Sequence, residues 1–134
     1  MIGILIVTHK ELAEALMSVW DLILGHSEGV QAVSLDPIDP PEVSRQKIQR
    51  GLTQINNGSG VIILTDMLGG TPSNLALPFL KEGKVEVITG VNLPMLMKLP
   101  QIRQQTDLRE AAQALKQSGQ KGITMASEVL HRKK

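Results

Sequence analysis

The hydrophobic positions of this 134-residue chain fall into two alternating rhythms. Short apolar runs at Ile2–Val7, Val30–Leu35, Val61–Leu64 and Val85–Thr89 read as strands. The first and third are apolar at almost every position, as strands covered on both faces would be, and Val61–Leu64 is expected near the sheet centre. Between the strands the period changes to that of a helix. Over Glu11–Leu24 the residues Leu12, Ala13, Leu16, Met17, Trp20, Ile23 and Leu24 form one stripe, and Gly25 suits its end. Pro41 suits the first turn of a second helix reaching about Ile55, with Val43, Ile48, Leu52 and Ile55 facing inward. Short helices are expected after Thr71 and over Asn92–Leu99, the latter stopped by Pro100. A last amphipathic helix spans Leu108–Gln117 and ends at Gly119. Ile123–Ala126 reads as a lone final strand, which must pair with an edge of this sheet or of another subunit.

Strand and helix alternate four times, which predicts an α/β fold: a mostly parallel central sheet with helices on both faces. Residues 1–134 are expected to form one domain, with residues 128–134 a flexible tail. Hydrophobic residues at 42% and charged residues at 20% suit a globular core. The chain has no cysteine, which excludes disulfides, thiolate metal sites and a cysteine nucleophile, and fits a reducing cytoplasm. No apolar run reaches the roughly 18 residues of a membrane span, and Met1-Ile2-Gly3-Ile4-Leu5 lacks the charged start of a signal peptide. Without Arg132, Lys133 and Lys134 the body carries 11 basic against 13 acidic residues, and Trp20 and Phe79 are its only aromatics. That composition argues against a nucleic-acid binder.

In parallel sheets ligands bind beyond the carboxyl ends of the strands. The residues there are Thr8-His9-Lys10-Glu11, Asp66-Met67-Leu68-Gly69-Gly70-Thr71-Pro72-Ser73-Asn74 and Gly90-Val91-Asn92-Leu93-Pro94. Thr8 and Glu11 match a capping box, with Thr8 as N-cap and His9 in the first helical position. Free N–H groups at that spot disfavour an imidazolium, so a neutral, nucleophilic His9 is expected, with N–H groups at hand for phosphoryl oxygens. The same placement equally suits a histidine that only helps cap the helix. Asp66 at the end of the central strand can fix an imidazole tautomer, or can merely cap its own loop. Gly69-Gly70 allows close backbone approach, and Thr71 with Pro72 can open the next helix as a second anion-binding terminus. His26 reads as a solvated helix-end residue and His131 as part of the tail. Met95 and Met97 suit core packing. The spacing of the three histidines offers no metal-ligand pattern, and neither metal nor cofactor is expected.

Ile6-Val7-Thr8-His9, Asp66–Asn74 and Gly90-Val91-Asn92-Leu93-Pro94-Met95-Leu96, in this order, resemble the IIA component of the mannose-type sugar phosphotransferase system. The resemblance covers nearly the whole chain. It implies a cytoplasmic phosphoryl carrier that takes phosphate from phospho-HPr on His9 and hands it to a IIB component, here a separate protein, for a membrane complex that phosphorylates incoming sugar. It implies Asp66 as the partner of His9, with Thr8, Gly70 and Thr71 near the phosphoryl group. It also implies a homodimer exchanging the C-terminal strand, which would explain Ile123–Ala126. A regulatory sensor of phosphorylation state would use the same site. An aspartate-phosphorylated receiver is disfavoured, because Thr8-His9 stand where its acidic cluster belongs. The polar segment Lys98–Asp107 has no assigned role in this reading.

Overall fold

The computed structural model describes residues 1–25 and 28–132. Four strands, β1 (Gly3–His9), β2 (Val30–Leu35), β3 (Val61–Thr65) and β4 (Val85–Thr89), form one all-parallel sheet in the order β2-β1-β3-β4. The expected strand positions hold, and β1 shares the centre with β3. Helices α1 (Leu12–Leu24), α2 (Pro41–Ile55), α3 (Thr71–Ala76), α4 (Leu93–Met97), α5 (Leu99–Ile102), α6 (Leu108–Lys121) and α7 (Ala126–Arg132) complete the chain.

The two-residue period of the strands divides the core between two faces. Ile2, Ile4, Ile6, Ile62, Leu64 and Ile88 pack with residues of α1, α4, α5 and α6, including Trp20, Leu96, Leu99 and Leu115. Leu5, Val7, Val61 and Ile63 pack on the other face with Ile48 and Leu52 of α2 and Ala76 of α3. The Trp20 indole donates to the Leu96 carbonyl at 2.9 Å, which locks α1 to α4.

Several boundaries differ from expectation, each for a local reason. The α1 stripe is too broad to be covered by one layer: Ala13 and Trp20 are buried, whereas Leu12, Ile23 and Leu24 are exposed. Val43 on α2 is exposed as well. Pro100 does not stop a helix; it lies in the first turn of α5, where a missing N–H costs nothing. Gly119 does not end α6, which continues to Lys121. A Cβ there would sit 2.8 Å from Met95 Cε, so this glycine provides close approach of α6 to α4. The N-terminus of α6 is set by Asp107, whose carboxylate accepts from the amides of Arg109 and Glu110.

Residues 98–107 form part of the core. Leu99 and Ile102 are buried, and the buried Arg103 donates from Nε to the Ile2 carbonyl at 2.9 Å, while Ile2 N donates to the Arg103 carbonyl. Burial pushes the Arg103 guanidinium below its ordinary value. Met95 is likewise a core residue.

The expected strand at Ile123–Ala126 is absent from this chain. Residues 123–125 are irregular and α7 follows, with the amides of Glu128 and Val129 donating to the Met125 carbonyl. A lone strand leaves its backbone unpaired, whereas a helix satisfies it locally. Residues 126–132 form α7, with His131 exposed on it. His26 lies outside the described residues.

Trp20→Phe keeps an aromatic side chain but removes the indole donor to the Leu96 carbonyl and part of the buried ring volume. It is expected to lower stability by about 1–3 kcal/mol, or roughly 3–10 °C in Tm, measurable by thermal unfolding. An unchanged melting curve would show that the indole bond contributes nothing.

Candidate active site

The chain runs outward from β1 to β2 in one direction and from β3 to β4 in the other. The strand order therefore reverses between β1 and β3, and a crevice opens at their carboxyl ends. Val7 pairs with Thr65, so His9 and Asp66 both emerge at that crevice.

One oxygen of Asp66 receives two bonds from His9. Asp66 Oδ2 lies 2.9 Å from the His9 amide nitrogen and 2.7 Å from Nδ1 of its ring. The other oxygen, Oδ1, accepts from the Met67 amide at 3.0 Å. An ionised carboxylate only accepts, so Nδ1 carries the proton, and in the neutral ring Nε2 keeps its lone pair. Partial burial on its own pushes the Asp66 carboxyl up. Hydrogen bonds from the His9 amide and the His9 ring, the electrostatic attraction of that ring, and a backbone amide outweigh that effect and hold it below the usual range. The Asp66 side chain is 11% exposed and that of His9 44%, so the pair has an inner acceptor and an outward ring.

The two glycines of the β3 loop divide the work. Gly69 has φ +89°, a conformation that favours glycine. Gly70 has φ −91°, open to any residue, but a Cβ there would sit 2.5 Å from His9 Cε1 and 3.1 Å from Nε2. Gly70 is therefore needed for space, and its backbone lies against the edge of the ring that carries Nε2.

Two placements correct the sequence reading. His9 is not in the first helical position: it is the last residue of β1, and Lys10, with φ +48°, turns the chain toward α1. Thr8 is wholly buried and its hydroxyl accepts from the Ala13 amide at 2.7 Å, so it anchors the start of α1 and has no surface to offer a phosphoryl group. Thr71 follows the N-cap residue Gly70 as the first residue of α3, with its side chain exposed. The structure thus brings His9, Asp66 and Gly70 together, puts Thr71 beside them and takes Thr8 away. Missed from the sequence were the roles of Thr65 and Ser73, whose buried hydroxyls lie 2.7 Å apart beneath the loop; Thr65 ends the apolar run of β3, and Ser73 stands in a polar turn where nothing marks it as buried.

The family model described as the PTS system fructose IIA component (EIIA-man) matches residues 3–116. The chain is 29% identical to the PTS system fructose-specific EIIA component of Bacillus subtilis strain 168, over all of its own length and 92% of that protein. It is 35% identical over 98 residues to the PTS system mannose-specific EIIAB component of Escherichia coli K12, covering 72% of this chain but only 30% of that longer protein. Its fold matches the phosphotransferase system component EIIA of Streptococcus agalactiae with a TM-score of 0.86 and 29% identity, over 96% of this chain and 99% of that one. The mannose/sorbose-specific IIA subunit from Enterococcus faecalis matches with a TM-score of 0.81 and 25% identity, over 92% of each chain. The chain belongs to the EIIA-man family of sugar phosphotransferase systems. Its role is that of a phosphoryl carrier in sugar uptake, in a family that works with HPr and IIB components. Among the described residues no helix is long and apolar enough to cross a membrane.

Gly70→Ala is expected to displace the His9 ring and disturb its Nδ1 bond while the fold is retained. Gly69→Ala is expected to cost about 1 kcal/mol through backbone strain and leave the ring where it is. Imidazole NMR spectra alongside thermal unfolding of both variants separate the two effects. The assignment of space to Gly70 and conformation to Gly69 fails if the ring signals respond the other way round.

Proposed function

We propose that His9 is the residue phosphorylated in this carrier, at Nε2, and that Asp66 holds it for the reaction. The observation that carries this reading is the pair of bonds from one His9 to one carboxylate oxygen, which leaves Nε2 as the ring nitrogen not engaged by Asp66. In the transfer, the Nε2 lone pair forms a bond to phosphorus as the bond from phosphorus to the donor histidine of phospho-HPr breaks. The donor ring leaves with that electron pair. His9 then carries the phosphoryl group and a positive ring whose Nδ1–H still faces the Asp66 carboxylate, so the charge is compensated where it develops. The second transfer, to a IIB component, reverses these roles. Gly70 gives the incoming group room beside Nε2, and the exposed Thr71 hydroxyl is the nearby side chain suited to meet its oxygens. The protein supplies position and charge compensation, which is what phosphoryl transfer between two nitrogens requires.

The active unit in this proposal is a homodimer. A groove of about 650 Å³ runs along β4, an edge strand, and α6, lined among others by Val87, Ile88, Met95, Ala112 and Ile123. An edge strand beside a groove that mixes these apolar residues with polar ones such as Arg109, Gln113 and Lys116 suits an added strand. The segment at residues 123–126 of a second copy supplies one, because Ile123 and Met125 are 77% and 62% exposed in the single chain.

His9→Ala is expected to abolish phosphate uptake from phospho-HPr. Asp66→Asn should slow it by about one to two decades, the equivalent of losing roughly 1.5–3 kcal/mol from a charge-assisted bond, with little change in Tm. Phosphorylation followed by mass spectrometry and rapid-quench kinetics measures both; uptake by the His9 variant excludes His9 as the acceptor.

For the assembly, sedimentation should give a dimer for the full chain, and Ile123→Asp should shift it toward monomer. A folded full-length monomer in both cases contradicts strand exchange.

A further inference from the structure

We propose that Ser73 is a positioning residue for the His9–Asp66 pair, acting through the two residues that flank Asp66 in the chain. Its side chain is wholly buried, its hydroxyl donates to the Met67 carbonyl, and its oxygen lies 2.7 Å from Thr65 Oγ1. A hydroxyl has one proton. Since that of Ser73 goes to Met67, the Thr65 hydroxyl is the donor in the other contact. Thr65 is also wholly buried, and its carbonyl accepts from the amides of Gly90 and Val91, at 2.9 Å each.

Asp66 therefore sits between two clamped neighbours. Thr65 is tied to Ser73 by its side chain and to the exit of β4 by its main chain. Met67 is tied to Ser73 by its carbonyl and to Asp66 Oδ1 by its amide. Ser73 itself rides on α3, three residues after Gly70, whose carbonyl accepts from the Asn74 amide. One oxygen thus joins the end of β3, the loop and α3. The Asp66 carboxylate on one side of the His9 ring and the Gly70 backbone on the other are both fixed relative to that oxygen.

The hydroxyl of Ser73 is bonded to Met67 and Thr65 and not to His9, so its effect passes through Asp66 and the loop. Removing its hydroxyl leaves the buried Thr65 Oγ1 and the part-buried Met67 carbonyl without this partner. The loop can regain those bonds only by moving, and Asp66 moves with it. This inference rests on the reading of His9 and Asp66 as the working pair.

The test compares Ser73→Ala, Asp66→Asn and the double variant in the full chain, with two readouts. The first is the nitrogen-15 NMR spectrum of the His9 ring, recorded without any phosphoryl donor. The second is the kinetics of phosphate uptake from phospho-HPr. Ser73→Ala is expected to move the Nδ1 signal toward its position in Asp66→Asn. It should lower the rate at saturating donor about tenfold with KM unchanged, the effect of losing one buried hydrogen bond. In the Asp66→Asn background the same substitution should change the rate little, because the pathway it acts through is already broken. A parental ring spectrum in Ser73→Ala, or a rate loss that adds in full to that of Asp66→Asn, overturns the proposal. If Ser73→Ala does not fold, Ser73→Cys takes its place: a smaller shift of the same sign supports the proposal and an unchanged spectrum overturns it. Because the spectrum needs no donor, it tests Ser73 even if His9 is not the residue that takes up phosphate.

Discussion

The site depends on a single oxygen. Asp66 Oδ2 receives both the main-chain amide and the ring Nδ1 of His9, and a carboxylate placed this way fixes a residue and its tautomer together. Sheet register is what permits it. Val7 lies beside Thr65, β1 continues two residues further to His9, and β3 ends one residue before Asp66. A slip of one residue between β1 and β3 would turn every side chain to the opposite face and separate the pair. The apolar runs that fill both faces of the sheet thus also determine where the imidazole stands. The same two His9 donors oppose the effect of burial on Asp66, so the acceptor stays ionised in a partly desolvated place.

Around that oxygen the hydroxyls of Thr8, Thr65 and Ser73 are buried and committed. Thr8 gives its hydroxyl to the start of α1, and Thr65 and Ser73 join beneath the loop. Each satisfies a donor or acceptor that would otherwise be left buried and unpaired. The consequence for chemistry is selective: with Nδ1 and the main chain of His9 engaged, the outward edge of the ring is what remains available. Gly69 and Gly70 complete this by separate means, one through a backbone angle and one through lack of volume. The motif reads as a glycine pair, but it holds two different constraints.

Much of this was legible because it rests on periodicity. The continuous apolar runs of β1 and β3 and the span of α2 match the structure closely; the strand order, whose reversal locates the crevice, came from the structure. The approach of His9 and Asp66 followed from both lying just past strand ends. What the sequence did not disclose depends on distances between elements. Thr8-x-x-Glu11 has the pattern of a capping box, yet the strand continues through His9, and the hydroxyl of Thr8 caps α1 from five residues before Ala13. Gly119 and Pro100 look like helix ends because that is their commonest use; here one makes room for Met95 and the other opens α5. The core role of Leu99, Ile102 and Arg103 was masked by polar neighbours in Lys98–Asp107. The segment at 123–126 has strand-forming residues but no strand beside it in this chain, and propensity without a partner does not make a strand.

The position of the pair relative to the sheet edges bears on how a carrier of this kind can assemble and still react. His9 and Asp66 stand at the ends of the two inner strands, one strand in from the β4 edge. The site is nonetheless mechanically connected to that edge. The exit of β4 donates two amides to the Thr65 carbonyl, and Thr65 directly precedes Asp66. The main chain that carries the carboxylate is thus hydrogen-bonded to the end of β4, while the His9 side chain stays 44% exposed in the chain. A phosphoryl carrier needs both conditions: a ring held firmly enough to present one nitrogen, and a surface exposed enough for donor and acceptor proteins to reach it in turn.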